Sequence, residues 1–365
     1  MVQQIRPSSL EKQGFRNLVY NGDMMVHQRG GSIQVTSTDT YVLDGFGVET
    51  RDSDGASYDA TWSQSTTVPA GQGFKYSLKC DVASTTTPSG SDNYLLRHCI
   101  EDNFLQHLDI GTANAKTFTV SFWVRSSKTG TYGFQVRDMP ATDHAVVEYT
   151  ISSADTWEHK VITIAGNTGG NMTVLGNAGL DLHWHLSTGS SDHESATNNA
   201  FADNSSNLFR STSNQVNLFD SATAEWYITG IQFEVGNQAS EFEHVPFDVQ
   251  LSRCQRYFYR SGGNVIYELS GVGVATVNNR LTINVNHPVP MRAAPALTVN
   301  NVGNFRIGVG AQSDAANSIS LDIGGFNTSM VNCNQAGTDY TTGHAGRLIN
   351  ENNTNASLDL SAEFG

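Results

Sequence analysis

The chain is written in short alternating runs. Lys116-Thr117-Phe118-Thr119-Val120-Ser121-Phe122-Trp123-Val124-Arg125 places Phe118, Val120, Phe122 and Val124 on one face, with Trp123 on the other among Thr and Ser. A period of two with aromatic and β-branched residues predicts a half-buried strand. Thr129-Gly130-Thr131 turns the chain, and residues 132–137 return. The pattern recurs at 146–151, 159–164 and 181–186. In residues 226–236, Tyr227 and Ile231 fall on one face and Ile228 on the other, Gln232 and Glu234 lie opposite Phe233 and Val235, and Gly236 ends the run. Short strands at this spacing, with turn residues between them, predict a β-sandwich rather than βαβ units. Residues 94–99 fit strand or helix. Pro246 excludes helix just before it, and residues 248–259 fit one short helix with Val249, Cys254 and Tyr257 on a common face.

From residue 261 a second, smaller β-domain is expected. Residues 272–277 and 281–285 read as a hairpin turning at Asn278-Asn279, followed by strands near 297–299, 305–309, 318–323 and 358–360. A region so rich in Gly and Asn buries little apolar area alone, and packing around a threefold axis would supply the missing burial. The domain expectation is therefore an arm (1–16), a sandwich (17–247), a linker (248–260) and a C-terminal β-domain (261–365). The arm has too few apolar residues to form a core, so a partner protein is expected to hold it. Residues 187–224 form a long polar insertion. A loop of this length in a compact domain is either functional and contact-forming or a solvated edge.

Composition narrows the function. Residues 1–247 carry 27 acids against 14 Lys and Arg, and residues 248–365 carry 8 acids against 7 Arg with no Lys. An acidic chain lacks the basic face that nucleic acid demands. No run of 18 apolar residues is present, so no membrane helix is expected, and the first residues lack the apolar stretch of a signal peptide. Cys80, Cys99, Cys254 and Cys333 have no close metal spacing. Reduced thiols are the expectation, with Cys80 and Cys99 the one pair near enough in sequence to consider for a bridge.

Motifs for chemistry are sparse. His183-Trp184-His185 puts two imidazoles on one strand face, a pair able to bind metal, but no third ligand follows at a telling spacing; the other reading is a plain strand. Asp52-x-Asp54-Gly55 opens like a calcium loop, yet position 63 is Ser where a Glu is needed, so it reads as a turn. No nucleophile elbow, Walker loop or His-Glu-x-x-His occurs, and no enzyme is expected. Glu101-Asp102 and Glu241 with Glu243 are the nearest carboxylate pairs for glycoside hydrolysis; acids on a strand surface are the alternative. Trp62, Trp157, Trp184 and Tyr340 are candidates for stacking on sugar rings, or are simply core. The loop Asp339-Tyr340-Thr341-Thr342-Gly343-His344 combines an aromatic ring with hydroxyl, carboxylate and imidazole groups. Asp339, Tyr340 and His344 are the expected receptor-binding residues, and an ordinary turn is the alternative.

Three phrases in order carry a family resemblance. They are Asn17-Leu18-Val19-Tyr20-Asn21-Gly22-Asp23-Met24 with Gln28-Arg29-Gly30 after it; Gln232-Phe233-Glu234-Val235-Gly236 leading to Phe242-Glu243-His244-Val245-Pro246; and Cys254-Gln255-Arg256-Tyr257-Phe258-Tyr259. Together they resemble structural proteins of tailed bacteriophages, in which a jelly-roll domain like a carbohydrate-binding module feeds a C-terminal β-domain. Pro290-Met291-Arg292-Ala293-Ala294-Pro295 resembles a phrase in the same C-terminal domains. Asp44-Gly45-Phe46-Gly47 departs from the Arg-Trp pair usual there. The resemblance implies an all-β virion fibre protein, a homotrimer assembled in the host cytoplasm. It would be anchored to another virion protein through residues 1–16 and adhere without catalysis to host-surface glycan. A capsid-bound head fibre or decoration protein, and a polysaccharide-degrading tailspike, are the alternatives. It would also allow a structural calcium ion with largely backbone ligands; no other cofactor is implied.

Overall fold

A computed structural model describes residues 15–365 except 37–38, 53–56, 140–142, 171–175, 195–198, 203–209, 264 and 352. The Asp52-x-Asp54-Gly55 turn and residues 1–14 of the expected arm lie largely or wholly outside the described residues. The chain divides into two units, Met1–Phe247 and Asp248–Gly365.

The strands of the first unit are β1 (Ser32–Val35), β2 (Thr40–Leu43), β3 (Phe46–Arg51), β4 (Ala60–Ser65), β5 (Ser77–Val82), β6 (Asn93–Glu101), β7 (Phe118–Ser126), β8 (Gly130–Asp138), β9 (His144–Ile151), β10 (Glu158–Ile164), β11 (Ala178–Thr188), β12 (His193–Glu194), β13 (Ser211–Thr212) and β14 (Glu225–Val235). Twelve of them build the expected jelly-roll sandwich. One six-stranded sheet has the order β1-β4-β5-β14-β7-β10, the other β2-β3-β6-β11-β8-β9. The ambiguous residues 94–99 belong to β6, a strand buried along its whole length.

Alternation builds the core directly. Phe118, Val120, Phe122 and Val124 of β7 point inward as their spacing predicts, and meet Phe134, Leu182 and Trp184 in one cluster. Trp62 and Trp226 join them, and Trp62 Nε1 donates to the Tyr94 hydroxyl at 2.8 Å. Trp62 and Trp184 are fully buried, so neither serves as a stacking platform.

One expectation of strand parity fails. Tyr227 and Ile231 do not share a face, because β14 shifts register against β7 between Thr229 and Gln232. Gly230 sits at this bulge with φ of 63°. The extra residue returns Ile231 and Phe233 to the core beside Trp226 and Ile228, while Tyr227 remains outward against Arg125.

The opening motif is a set of structural hydrogen bonds. Asn17 Nδ2 donates to the Ile231 carbonyl at 2.9 Å, and its Oδ1 accepts from Val19 N and Phe233 N at 3.0 Å each. Asn21 Nδ2 donates to the carbonyls of Val26 and Asp44. A Cβ on Gly22 would lie 2.1 Å from the Ile231 carbonyl oxygen. Asp44, at the position where the resemblance departs, is buried and accepts from Gln28 N at 2.7 Å.

Helix α1 (Phe247–Gln255) opens the second unit and begins one residue ahead of the stretch where a short helix is expected. The unit's strands are β15 (Phe258–Gly262), β16 (Leu269–Val277), β17 (Arg280–Asn286), β18 (Ala296–Asn300), β19 (Phe305–Val309), β20 (Gln312–Ala315), β21 (Ser318–Gly324), β22 (Thr328–Asn334), β23 (Ala345–Asn350) and β24 (Ser357–Ser361). They form a three-stranded sheet, β15-β24-β18, and a seven-stranded sheet, β20-β19-β23-β16-β17-β22-β21. Phe258, Tyr259 and Arg260, placed in the linker by sequence, already form β15. The turn at Asn278-Asn279 is a two-residue hairpin, with Val277 opposite Arg280. The Pro-Met-Arg-Ala-Ala-Pro phrase is structural: Met291 is buried, and Arg292 lies 4.0 Å from the Phe364 ring while Nε donates to the Ala362 carbonyl at 2.8 Å. All four cysteines are buried and free, so Cys80 and Cys99 form no bridge. Among the described residues no helix is long and apolar enough to cross a membrane.

Candidate functional site

A cleft of about 610 Å³ opens on the outer face of the first sheet, within the usual size range of small-molecule sites. The parity that sends Phe122 and Val124 inward sends Ser121 and Trp123 outward to form its floor. Trp123 pairs with His159 on β10, their ring centroids 5.0 Å apart at 31°. Val161 extends this floor and is 49% exposed. Trp123 is half-buried, with its remaining surface facing the cleft.

The β14 bulge shapes the middle of the cleft. A Cβ on Gly230 would lie 2.5 Å from Phe74 Cζ and 3.1 Å from Trp123 Cδ1. Glycine therefore serves twice here, through its positive φ and by leaving room for two aromatic rings. One wall is Gly71, Gln72 and Phe74; the other is residues 239–242 with His244. Phe74, Phe242 and His244 form a ring cluster with centroids 5.0–5.4 Å apart.

The second wall is held by the motif Gln-Phe-Glu-Val-Gly. Glu234 accepts from Ser240 N and Ser240 Oγ at 2.7 Å each, and Gln232 Oε1 accepts from Glu243 N at 2.8 Å. Glu243 Oε2 in turn accepts from Arg16 N at 2.8 Å and Asn17 N at 2.9 Å. Residues 232, 234 and 243 thus lock strand end, wall and opening segment together. Glu241, between them, is exposed on the cleft rim. The cleft therefore offers an indole face, two imidazoles, a carboxylate and the Gln72 amide. Partial burial lowers the His159 ring from its ordinary value, so at neutral pH it presents a neutral donor and acceptor.

The residues singled out from sequence are placed differently. Tyr340 is 4% exposed and belongs to the second unit's core. Its ring is not an open platform, a correction whose cause is the turn itself: Tyr340 N donates to the Asn278 carbonyl and Gly343 N to the Ala275 carbonyl, drawing the side chain inward. Asp339 and His344 are exposed. His344 borders a shallow groove of about 490 Å³ lined by Gly308, Gly310, Gln312, Ser313 and Arg347. Trp157 is half-buried near Tyr227, outside the cleft. Glu101 and Asp102 are buried; Glu101 accepts from Asn103 Nδ2 at 2.6 Å and Asp102 from Gly176 N at 2.7 Å. His183 and His185 are both buried, and no group of three His, Cys, Asp or Glu among the described residues is placed to hold a metal.

Sequence reading missed the cleft because its floor, Trp123 and His159, and its two walls, near Phe74 and Phe242, are distant in the chain, and only the second wall lies in a recognised phrase. The available signal was Trp123, the one aromatic on a strand face otherwise made of Thr119, Ser121 and Arg125.

No family model matches this chain, and no curated protein matches it. Solved structures do. The enzymatically active domain of tailspike protein 4 of bacteriophage CBA120 is 12% identical with a TM-score of 0.34, over 60% of this chain and 21% of that one. The carbohydrate-binding module CBM4 is 10% identical with a TM-score of 0.30, over 60% of this chain and 99% of the module. The family 11 carbohydrate-binding module from Clostridium thermocellum, seen with a β-1,3-1,4-mixed-linked tetrasaccharide, is 10% identical with a TM-score of 0.28, over 57% of this chain and 98% of the module. Likenesses at this level carry no conclusion about ligand or activity.

Proposed function

We propose that this chain is a non-catalytic, glycan-binding fibre protein of a tailed-phage particle, and that the Trp123 cleft takes the sugar. The observation that carries the glycan reading is the half-buried indole on a rigid sheet floor, ringed by groups that hydrogen-bond hydroxyls: His159, Gln72, Glu241 and His244. An aromatic body with polar neighbours suits a ligand that has apolar faces and polar edges. Support for the virion comes from the sequence phrases around Asn17, Gln232 and Cys254. Adhesion without hydrolysis fits the carboxylates: Glu101, Asp102 and Glu243 all accept structural hydrogen bonds, which leaves Glu241 as the one carboxylate on the cleft among the described residues.

Self-association into a trimer is the companion proposal. In the second unit Leu269, Val272, Val274 and Val277 of β16 are 41–57% exposed, and Val265, Ile266 and Tyr267 just before them 48–58%. A contiguous apolar run of this kind marks an interaction surface. The unit's near-neutral charge lets identical surfaces meet without strong repulsion.

The test is adsorption of the full chain to host cells, with soluble host-surface polysaccharide as competitor. Wild-type protein should adsorb and be displaced by polysaccharide, and Trp123→Ala should not adsorb. Release of new reducing ends from that polysaccharide would instead favour the tailspike reading.

A further inference from the structure

The described end of the polar insertion is more than a solvated edge. Its residues 210–216 lie on the outer face of the second sheet. Gln215 Oε1 accepts from Gly133 N at 2.6 Å, Gln215 Nε2 donates to the His185 carbonyl at 3.2 Å, and Val216 N donates to the Thr131 carbonyl at 2.9 Å. Asn214 Nδ2 donates to Glu148 Oε1 at 3.0 Å, and Thr212 Oγ1 donates to the same oxygen. Arg210 Nη1 donates to Glu49 Oε1 at 2.6 Å, and its Nε stands 3.3 Å from Asp192 Oδ2.

Beneath this cover the sheet face is charged and buried. Asp181 accepts from Arg97 Nη2 at 2.7 Å, and His183 Nε2 lies 3.2 Å from the same carboxylate. His183 Nδ1 is 2.9 Å from Gln135 Oε1. His185, next on this face, is 0% exposed and 6.0 Å from the His183 ring, and among the described residues neither of its ring nitrogens has a hydrogen-bond partner. No hydrogen bond from the described residues holds a proton on the ring. Burial, then the charges of His183 and Arg210, push it well below its ordinary value.

The surrounding charges decide the direction. His185 shares β11 with Asp181 and His183. The strand register puts Arg97 on β6, Glu49 and Arg51 on β3, Arg137 on β8 and Glu148 on β9 on the same face, and the insertion adds Arg210 with Asp192 and His193 beside it. With the cover closed His185 stays neutral. With the cover lifted the ring meets water and protonates in the ordinary histidine range. The closed form therefore binds fewer protons, and falling pH favours the open one. Glu49 works in the same direction: burial raises its carboxyl, but His183, Arg210 and Arg97 together lower it below the ordinary value, so its hold on Arg210 is lost as pH falls further. Asp192, raised by burial, opposes them.

We propose that residues 210–216 form an acid-released cover, with His185 as the proton acceptor that drives the opening. Lifting it presents a second, charged sheet face, with Glu49, Arg97, Arg137, Asp181 and His183, that neutral pH keeps shut.

Hydrogen exchange of the full chain, read by mass spectrometry at pH 7 and pH 5 and corrected for intrinsic rates, tests this. Protection over 210–216 should fall about 25-fold, the effect of one histidine with an ordinary value of about 6.5 in the open form. Residues 118–126 should stay protected. His185→Gln should hold its protection at both pH values, and His185→Phe takes its place if near-ultraviolet dichroism shows the glutamine variant unfolded. Unchanged protection in the wild-type chain overturns the proposal on its own, and so does a loss of wild-type size in the folded variant.

Discussion

Gly230 and Phe74 are fitted to each other: a Cβ at position 230 would stand 2.5 Å from Phe74 Cζ, at a φ of 63°. The bulge that re-aims Ile231 into the core thus also makes room for the cleft. Gly230→Ala should destabilise the first unit by about 2 kcal/mol, from left-handed strain and overpacking together. It should also displace Phe74. Urea unfolding measures the first effect. An unchanged midpoint would show that the bulge tolerates a side chain.

Asn17 ties the opening phrase to β14. Its side chain serves the Ile231 carbonyl and the Val19 and Phe233 amides. Asn17→Ala strands three buried polar groups and should cost about 3 kcal/mol. Thermal unfolding of the variant should start several degrees early; a shift under one degree would mean that water replaces the amide.

Acid stability should carry the mark of Asp181. Burial opposes its charge, but His183 and Arg97 hold its carboxyl at about 2, below the ordinary 3.8. A depressed carboxylate stabilises the fold fully above about 4, and that share is lost as pH falls toward 2. The share is about 2 kcal/mol. Urea unfolding at pH 7 and pH 3 should show part of this loss, and Asp181→Asn, less stable at pH 7, should show less dependence over the interval. Equal dependence in both proteins would assign the acid limb to other carboxylates.

How much of this was legible in the sequence differs from element to element. Phe118 to Val124 announced their face because alternation survives wherever the strand is regular. It failed at Ile231, since a bulge adds one residue that spacing alone does not reveal. The Asn278-Asn279 hairpin was legible because two-residue turns have a composition of their own. The strands 312–315, 328–334 and 345–350 were not, being mixed with Ser, Asn and Gly. Trp184 and His183 were rightly set on opposite faces, yet both are buried, because the cover comes from residues 210–216 elsewhere in the chain. Tyr340 looked like a loop aromatic; backbone bonds to Asn278 and Ala275 turn it inward.

The β16 surface gives the assembly prediction. Sedimentation should return three times the 39.5 kDa mass of the chain. The double variant Val272→Asp and Val274→Asp, which places charge on two exposed positions, should sediment as a folded monomer. A wild-type monomer at micromolar concentration would end the trimer proposal, and a trimeric double variant would move the interface elsewhere.

Calorimetric titration of the full chain with oligosaccharide from the host surface reaches the central claim most directly. Wild-type protein and an Asp339→Ala, His344→Ala double variant should bind alike. Trp123→Ala should bind at least tenfold more weakly, a loss of about 1.4 kcal/mol or more, with an unchanged unfolding temperature. Full binding by Trp123→Ala together with loss in the Asp339, His344 variant would contradict the account and return recognition to the second unit.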